Sequence, residues 1–171
     1  MGSVTFTVTF DPNALGTQTS TITIDSNDAD EGTYTFRVQG TGTSTPSFTQ
    51  SFAPATILSG GTSTVSFVIN NSANAVAATS LDFTDNLPAG LTVASPANAS
   101  TTCTGGTITA TTGSGVISYT GGTVAPGGSC SLSADVTGST DGSFANTTGD
   151  LTSSLGNSGT SSSTLTVATP E

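Results

Sequence analysis

Few residues in this chain can do chemistry, and they cluster. Of its eleven carboxylates, four fall within residues 25–31, in the stretch DSNDADEG: Asp25, Asp28, Asp30 and Glu31, with Asn27 among them. Calcium takes about six to eight oxygens in a flexible shell. Asp25, Asn27, Asp28, Asp30 and Glu31 are therefore candidate metal ligands, and Ca2+ is the one cofactor the residue types favour. No EF-hand register fits. A loop starting at Asp25 puts Asp30 where the turn needs glycine, and one starting at Asp28 ends on Gln39 where a glutamate is required. The competing reading is a solvated turn. Asp and Asn side chains bond nearby backbone N–H groups, and charge at a strand end discourages edge-to-edge pairing.

Composition closes off most other reactions. The chain has no His and no Trp, and its single cation is Arg37. A Ser–His–Asp or Cys–His set cannot be assembled, and no Schiff base forms without lysine. A Lys–Asn amide crosslink lacks its amine for the same reason. Zinc is poorly served by two cysteines alone. One enzymatic route survives, a Ca2+-dependent hydrolase of esters or lactones. There Asp25, Asn27 and Asp30 would hold the metal, and Asp28 or Glu31 would activate water. A net charge of −10 makes nucleic acid and anionic lipid poor partners, because phosphate binding rests on Lys and Arg.

Cys103 and Cys130 are the only thiols. A reactive cysteine needs a cation or base beside it, and this chain has little of either. The expected state is a structural disulfide, stabilising the fold by about 3 kcal/mol in the chain-entropy model and implying an oxidising compartment. Two buried thiols in a reduced protein are the alternative. The other acids read as local. Asp11 and Asp85 precede turns and are expected to cap them, Asp82 lies beside Asp85, and Asp135, Asp141 and Asp150 are expected to be solvated. Asn70, Asn98 and Asn146 stand in glycosylation sequons.

These residues must be carried on strands. VTFTVTF (4–10), TSTITI (19–24) and TYTFRVQG (33–40) alternate apolar and polar positions, which predicts half-buried strands. Val4, Phe6, Val8, Phe10, Ile22, Ile24, Tyr34, Phe36 and Val38 are expected inward. TGTSTP (41–46) reads as a linker. The alternation resumes at 47–52, 63–72, 107–113, 115–122, 130–136 and 163–168, with two strands around a turn at 87–90 and one or two ragged strands in 141–160. No window shows a helical apolar period. The expected class is all-β, two immunoglobulin-like antiparallel β-sandwich modules with the first incomplete. The division is 1–41 for a partial module, 42–46 for a linker and 47–171 for the disulfide-bearing sandwich. MGSVTF carries no export signal, and no apolar run approaches the roughly 20 residues needed to span a bilayer.

Particular motifs add a resemblance. FDP (10–12), SND (26–28) and the terminal GTG (40–42) make residues 5–42 similar to the C-terminal part of a bacterial Hydin-type, choice-of-anchor D repeat. DSND (25–28) also resembles part of a cadherin-type calcium motif. FAPATI (52–57), FTDNLPAGL (83–91), the cysteine pair and FANTTGDL make residues 46–168 resemble a conserved repeat domain of unknown function from large bacterial surface proteins. The resemblance implies a stalk or adhesive unit of an extracellular or cell-surface protein, with its export signal elsewhere. The implied partners are an extracellular ligand or other copies of the chain, the latter by β-strand addition at open sheet edges.

Overall fold

The computed structural model describes residues 5–27, 29, 30 and 32–169, and among these every regular element is a strand. Cα packing divides the chain into two units, Met1–Ser44 and Thr45–Glu171.

The first unit holds one antiparallel hairpin. β1 (Gly16–Asp25) pairs with β2 (Thr33–Gly42) from Gly16↔Gly42 to Asp25↔Thr33. The period-two pattern of 19–24 and 33–40 thus forms a ladder. The equally regular TFTVTF (5–10) does not, and Val4 lies outside the described residues. Residues 5–12 have no ladder partner and leave Phe6 and Val8 exposed. Alternation favours a strand only where a second strand satisfies its backbone groups. Tyr34, expected inward, is 65% exposed, and Ile24 is exposed too; a two-stranded sheet buries a face only where something packs on it, as Phe10 does at Gly40.

The second unit is a sandwich. In chain order its strands are β3 (Ser47–Ala53), β4 (Thr56–Leu58), β5 (Thr62–Asn70), β6 (Ala78–Asn86), β7 (Leu91–Val93), β8 (Ser100–Thr101) and β9 (Thr107–Ala110). They continue as β10 (Val116–Val124), β11 (Ser129–Gly138), β12 (Gly142–Thr147), β13 (Thr152–Ser153), β14 (Gly156–Asn157) and β15 (Ser162–Ala168). One sheet runs β3-β5-β11-β7, with β8 also on β11; a second runs β14-β13-β6-β10-β9; a third runs β12-β15-β4. Pairing is antiparallel except between β15 and β4. The segment 141–160 yields three short strands rather than one or two.

Alternation explains which side chains enter the core. On β5 the residues Val65, Phe67 and Ile69 are fully buried; on β11 Leu132, Ala134 and Val136 meet them. The facing sheet contributes Leu81, Phe83, Ile117 and Tyr119. Phe48, Phe67 and Phe83 form the centre, with Phe83 ring centroids 5.0 Å from both others in tilted contact. Each such ring contributes about 1.5–3 kcal/mol by burial, and tilted pairs add about 0.5–1.5 kcal/mol. The Tyr119 hydroxyl donates to the Gly105 carbonyl at 2.9 Å. A Cβ on Gly122 would lie 2.0 Å from that hydroxyl, so the strand can pass the buried ring only as glycine.

Candidate functional site

The acidic hairpin loop is closed by its own backbone. Ser26 N–H donates to the Gly32 carbonyl at 2.8 Å, and Thr33 Oγ1 donates to Asp25 Oδ1 at 3.2 Å. Asp25 thus ends β1 as a turn residue. Of the other candidate ligands, Asn27 and Asp30 are exposed, while Asp28 and Glu31, also the candidate bases, lie outside the described residues. Among the described residues no group of three or more His, Cys, Asp or Glu side chains is gathered as a metal would require.

The sulfur pair is joined. Cys103 and Cys130 form a disulfide with Cα atoms 4.8 Å apart. It ties the loop after β8 to the start of β11, alongside the Thr102 N–H to Ser131 carbonyl bond of 2.8 Å.

The solitary acids are not all solvated. Asp135 accepts from Thr64 Oγ1 at 2.6 Å and from Asn98 Nδ2 at 2.7 Å, so it bridges β5 to the 95–99 loop. Asp150 accepts from Asn157 Nδ2 at 2.7 Å, and Asp141 accepts from the Thr169 hydroxyl. These are surface ties rather than chemistry.

Asp85 departs furthest from the sequence reading. It does not cap the turn that follows. It follows Leu81 and Phe83 in the inward phase of β6 and is 0% exposed. Asn146, which stands in a sequon, is likewise 0% exposed and therefore inaccessible in the folded chain. Asn146 Nδ2 donates to Asp85 Oδ2 at 2.8 Å. Burial pushes the Asp85 carboxyl up from 3.8 to about 6, and the Asn146 bond only partly offsets that.

The remaining atoms of this pair are not satisfied. Asp85 Oδ1 and Asn146 Oδ1 are buried without a hydrogen-bond partner, as are both Gln50 Nε2 and Gln50 Oε1. A fifth buried atom without a partner, Ser163 Oγ, belongs to the residue opposite Asn146 in the β12–β15 ladder. Gln50 also sits in an apolar phase, between Phe48 and Phe52 on β3. An unpaired buried polar group costs about 1–3 kcal/mol. Native folds keep such groups sparingly.

Strand directions bring Gln50 to the same layer as Asp85. Asn71, just beyond the Ser47↔Asn70 pair that opens β3, bonds the Val76 and Ala125 carbonyls flanking the start of β6. At the other end Val93 pairs with Val136 on β11, and its N–H donates to the Ser114 carbonyl beside the β6–β10 ladder. β3 and β6 therefore run the same way in facing sheets. Two residues on from the touching rings of Phe48 and Phe83 come Gln50 and Asp85. β15, which carries Ser163, packs against β3.

A second buried polar group shows the contrast. Asn71 Nδ2 donates to the Val76 carbonyl at 2.8 Å and the Ala125 carbonyl at 3.1 Å, while Asn74 Nδ2 donates to Asn71 Oδ1 at 2.7 Å. That cluster holds two loops in place with its bonds made. The Gln50–Asp85–Asn146 layer leaves four atoms unmade.

The family of this sandwich is shown by residues 46–167, which match a domain of unknown function, DUF7933. The chain belongs to the DUF7933 family. No curated protein matches it. Among solved structures, the DUF7933 sandwich is similar to the cohesin module of a family 33 glycoside hydrolase from Clostridium perfringens, with a TM-score of 0.55 and 8% identity over 75% of this chain and 100% of that one. It is also similar to the collagen-binding domain of a Staphylococcus aureus adhesin, with a TM-score of 0.48 and 14% identity over 74% and 99%. A collagen-binding domain of Erysipelothrix rhusiopathiae surface protein RspB gives a TM-score of 0.48 and 14% identity over 91% and 58%. At these identities the likeness is one of fold: all-β and immunoglobulin-like.

Proposed function

We propose that this chain is part of a bacterial extracellular or cell-surface protein, in which the DUF7933 sandwich serves as a stalk or adhesive unit. The Cys103–Cys130 bridge carries the reading. Disulfides persist in oxidising compartments, and this one fastens a loop to a core strand in a chain with one cation and no histidine. The surface supports it as well. Thr- and Ser-rich strand faces with little charge suit contact with a macromolecule or with neighbouring modules. No helix among the described residues is long and apolar enough to cross a membrane. Residues 1–41 are, in this reading, the C-terminal strands of a Hydin-type module.

The test pairs two assays on the whole chain. One measures retention on immobilised extracellular-matrix proteins. The other measures turnover on a panel of esters and lactones with calcium and then with excess chelator. Retention supports an adhesive unit, and absence of both retention and turnover supports a stalk. Turnover that chelator abolishes overturns the proposal in favour of the hydrolase, with Asp28 or Glu31 as base.

A further inference from the structure

We propose that Asp85 and Asn146 form an amide-transfer centre buried between the sheets, and that Gln50 occupies the position of its missing nucleophile. The acid touches the carboxamide, with Asn146 Nδ2 2.8 Å from Asp85 Oδ2. Both residues are wholly enclosed. Gln50 enters the same layer from the facing strand with neither end of its amide bonded. A side chain kept only for packing would be apolar here, as Phe48 and Phe52 are on either side.

Aminolysis of a carboxamide needs three things: a neutral amine, an acid to activate the carbonyl, and a dry site that fixes both. The chain supplies the last two. Burial already makes Asp85 hold its proton more tightly than an exposed acid. A primary ammonium delivered from position 50 would pass a proton to the Asp85 carboxylate, since burial disfavours both charges. The amine nitrogen then attacks Asn146 Cγ, and Asp85 gives its proton to the carbonyl oxygen. As the carbonyl re-forms, the C–N bond to the original amide nitrogen breaks. The proton returns through Asp85 to that nitrogen, which leaves as ammonia, and the attacking nitrogen gives its surplus proton to the Asp85 carboxylate. One amine and one carboxamide become one secondary amide and one ammonia, with no oxidant or co-reactant. The native chain has no lysine to fire this centre, so it rests.

The experiment is Q50K in the full chain, examined by intact-mass spectrometry after reduction of the disulfide. The expected product is one ammonia lighter than its sequence mass, and digestion recovers residues 50 and 146 in a single linked peptide. Q50K/D85A and Q50K/N146A should keep full mass. A folded Q50K at full mass overturns the proposal. So does Q50K that cannot fold, because a site shaped for an amine must admit a lysine chain. Mass loss that survives N146A, or that gives no linked peptide, overturns it too, by placing the ammonia loss elsewhere.

Discussion

Replacing Asp85 by asparagine should stabilise this protein at neutral pH and leave it nearly unchanged in acid. The sign follows from the direction of the shift. The folded state holds the Asp85 proton up to about pH 6, whereas the unfolded chain releases it near 3.8. Below that range both states are protonated and the group contributes nothing. As pH rises through it the unfolded chain ionises first, so stability falls, and above the folded value the full cost is present. At 1.36 kcal/mol per tenfold change in proton affinity, that cost is about 3 kcal/mol. D85N removes the charge at nearly constant volume. Its new amide can donate to the unpaired Asn146 Oδ1, as the protonated acid can at low pH, while its oxygen accepts from Asn146 Nδ2, so the closed pair that wild type keeps only in acid persists at neutral pH. The assay is denaturant unfolding of wild type and D85N from about pH 4 to pH 8, followed through the signal of buried Tyr119. Taking the difference between the two proteins cancels the other carboxylates. The expected gap opens from near zero to about 3 kcal/mol in favour of D85N. A gap that stays constant across the range would refute the buried-acid account, because a pure packing effect has no proton linkage.

Two further outcomes follow from other features. Reducing Cys103–Cys130, or substituting both by serine, should lower stability by about 3 kcal/mol, read as a shift of the denaturation midpoint with and without reductant; an unchanged midpoint would mean that the bridge constrains nothing the ladders do not already hold. At the acidic loop, melts in calcium and in excess chelator should coincide, and D25A should shift the melt by under about 1 kcal/mol, the range of an exposed hydrogen bond. A calcium-dependent rise in melting temperature lost in D25A would instead establish a metal site there.

The strands were legible because alternation has a direct physical cause. Val65, Phe67 and Ile69 read as one buried face and are one. VTFTVTF reads the same way, yet residues 5–10 have no partner strand among the described residues, since a pattern names a face and not what lies opposite it. The buried acid is hidden for a different reason. Asp85 precedes a proline-containing turn, so local turn chemistry offered a sufficient explanation. The signal that it enters the core lay in its phase. Leu81, Phe83 and Asp85 share one parity on β6, as Phe48, Gln50 and Phe52 do on β3, and Phe144 and Asn146 on β12. A polar residue in an apolar phase marks an interior position whenever the strand on either side is buried. That Asp85 and Asn146 touch, 61 residues apart, depends on topology that spacing does not encode.

The parallel pairing of β4 with β15 has a mechanical consequence. Thr166, Val167 and Ala168 lie opposite Thr56, Ile57 and Leu58, and the strands point the same way. Once β3 has come away from β5, pulling the sandwich by its two ends drags β4 backward and β15 forward. The bonds between them are then loaded in shear, all at once, instead of peeling apart one by one. The sulfur bridge between residues 103 and 130 lies outside that force path, and would shorten the released length only after the first rupture.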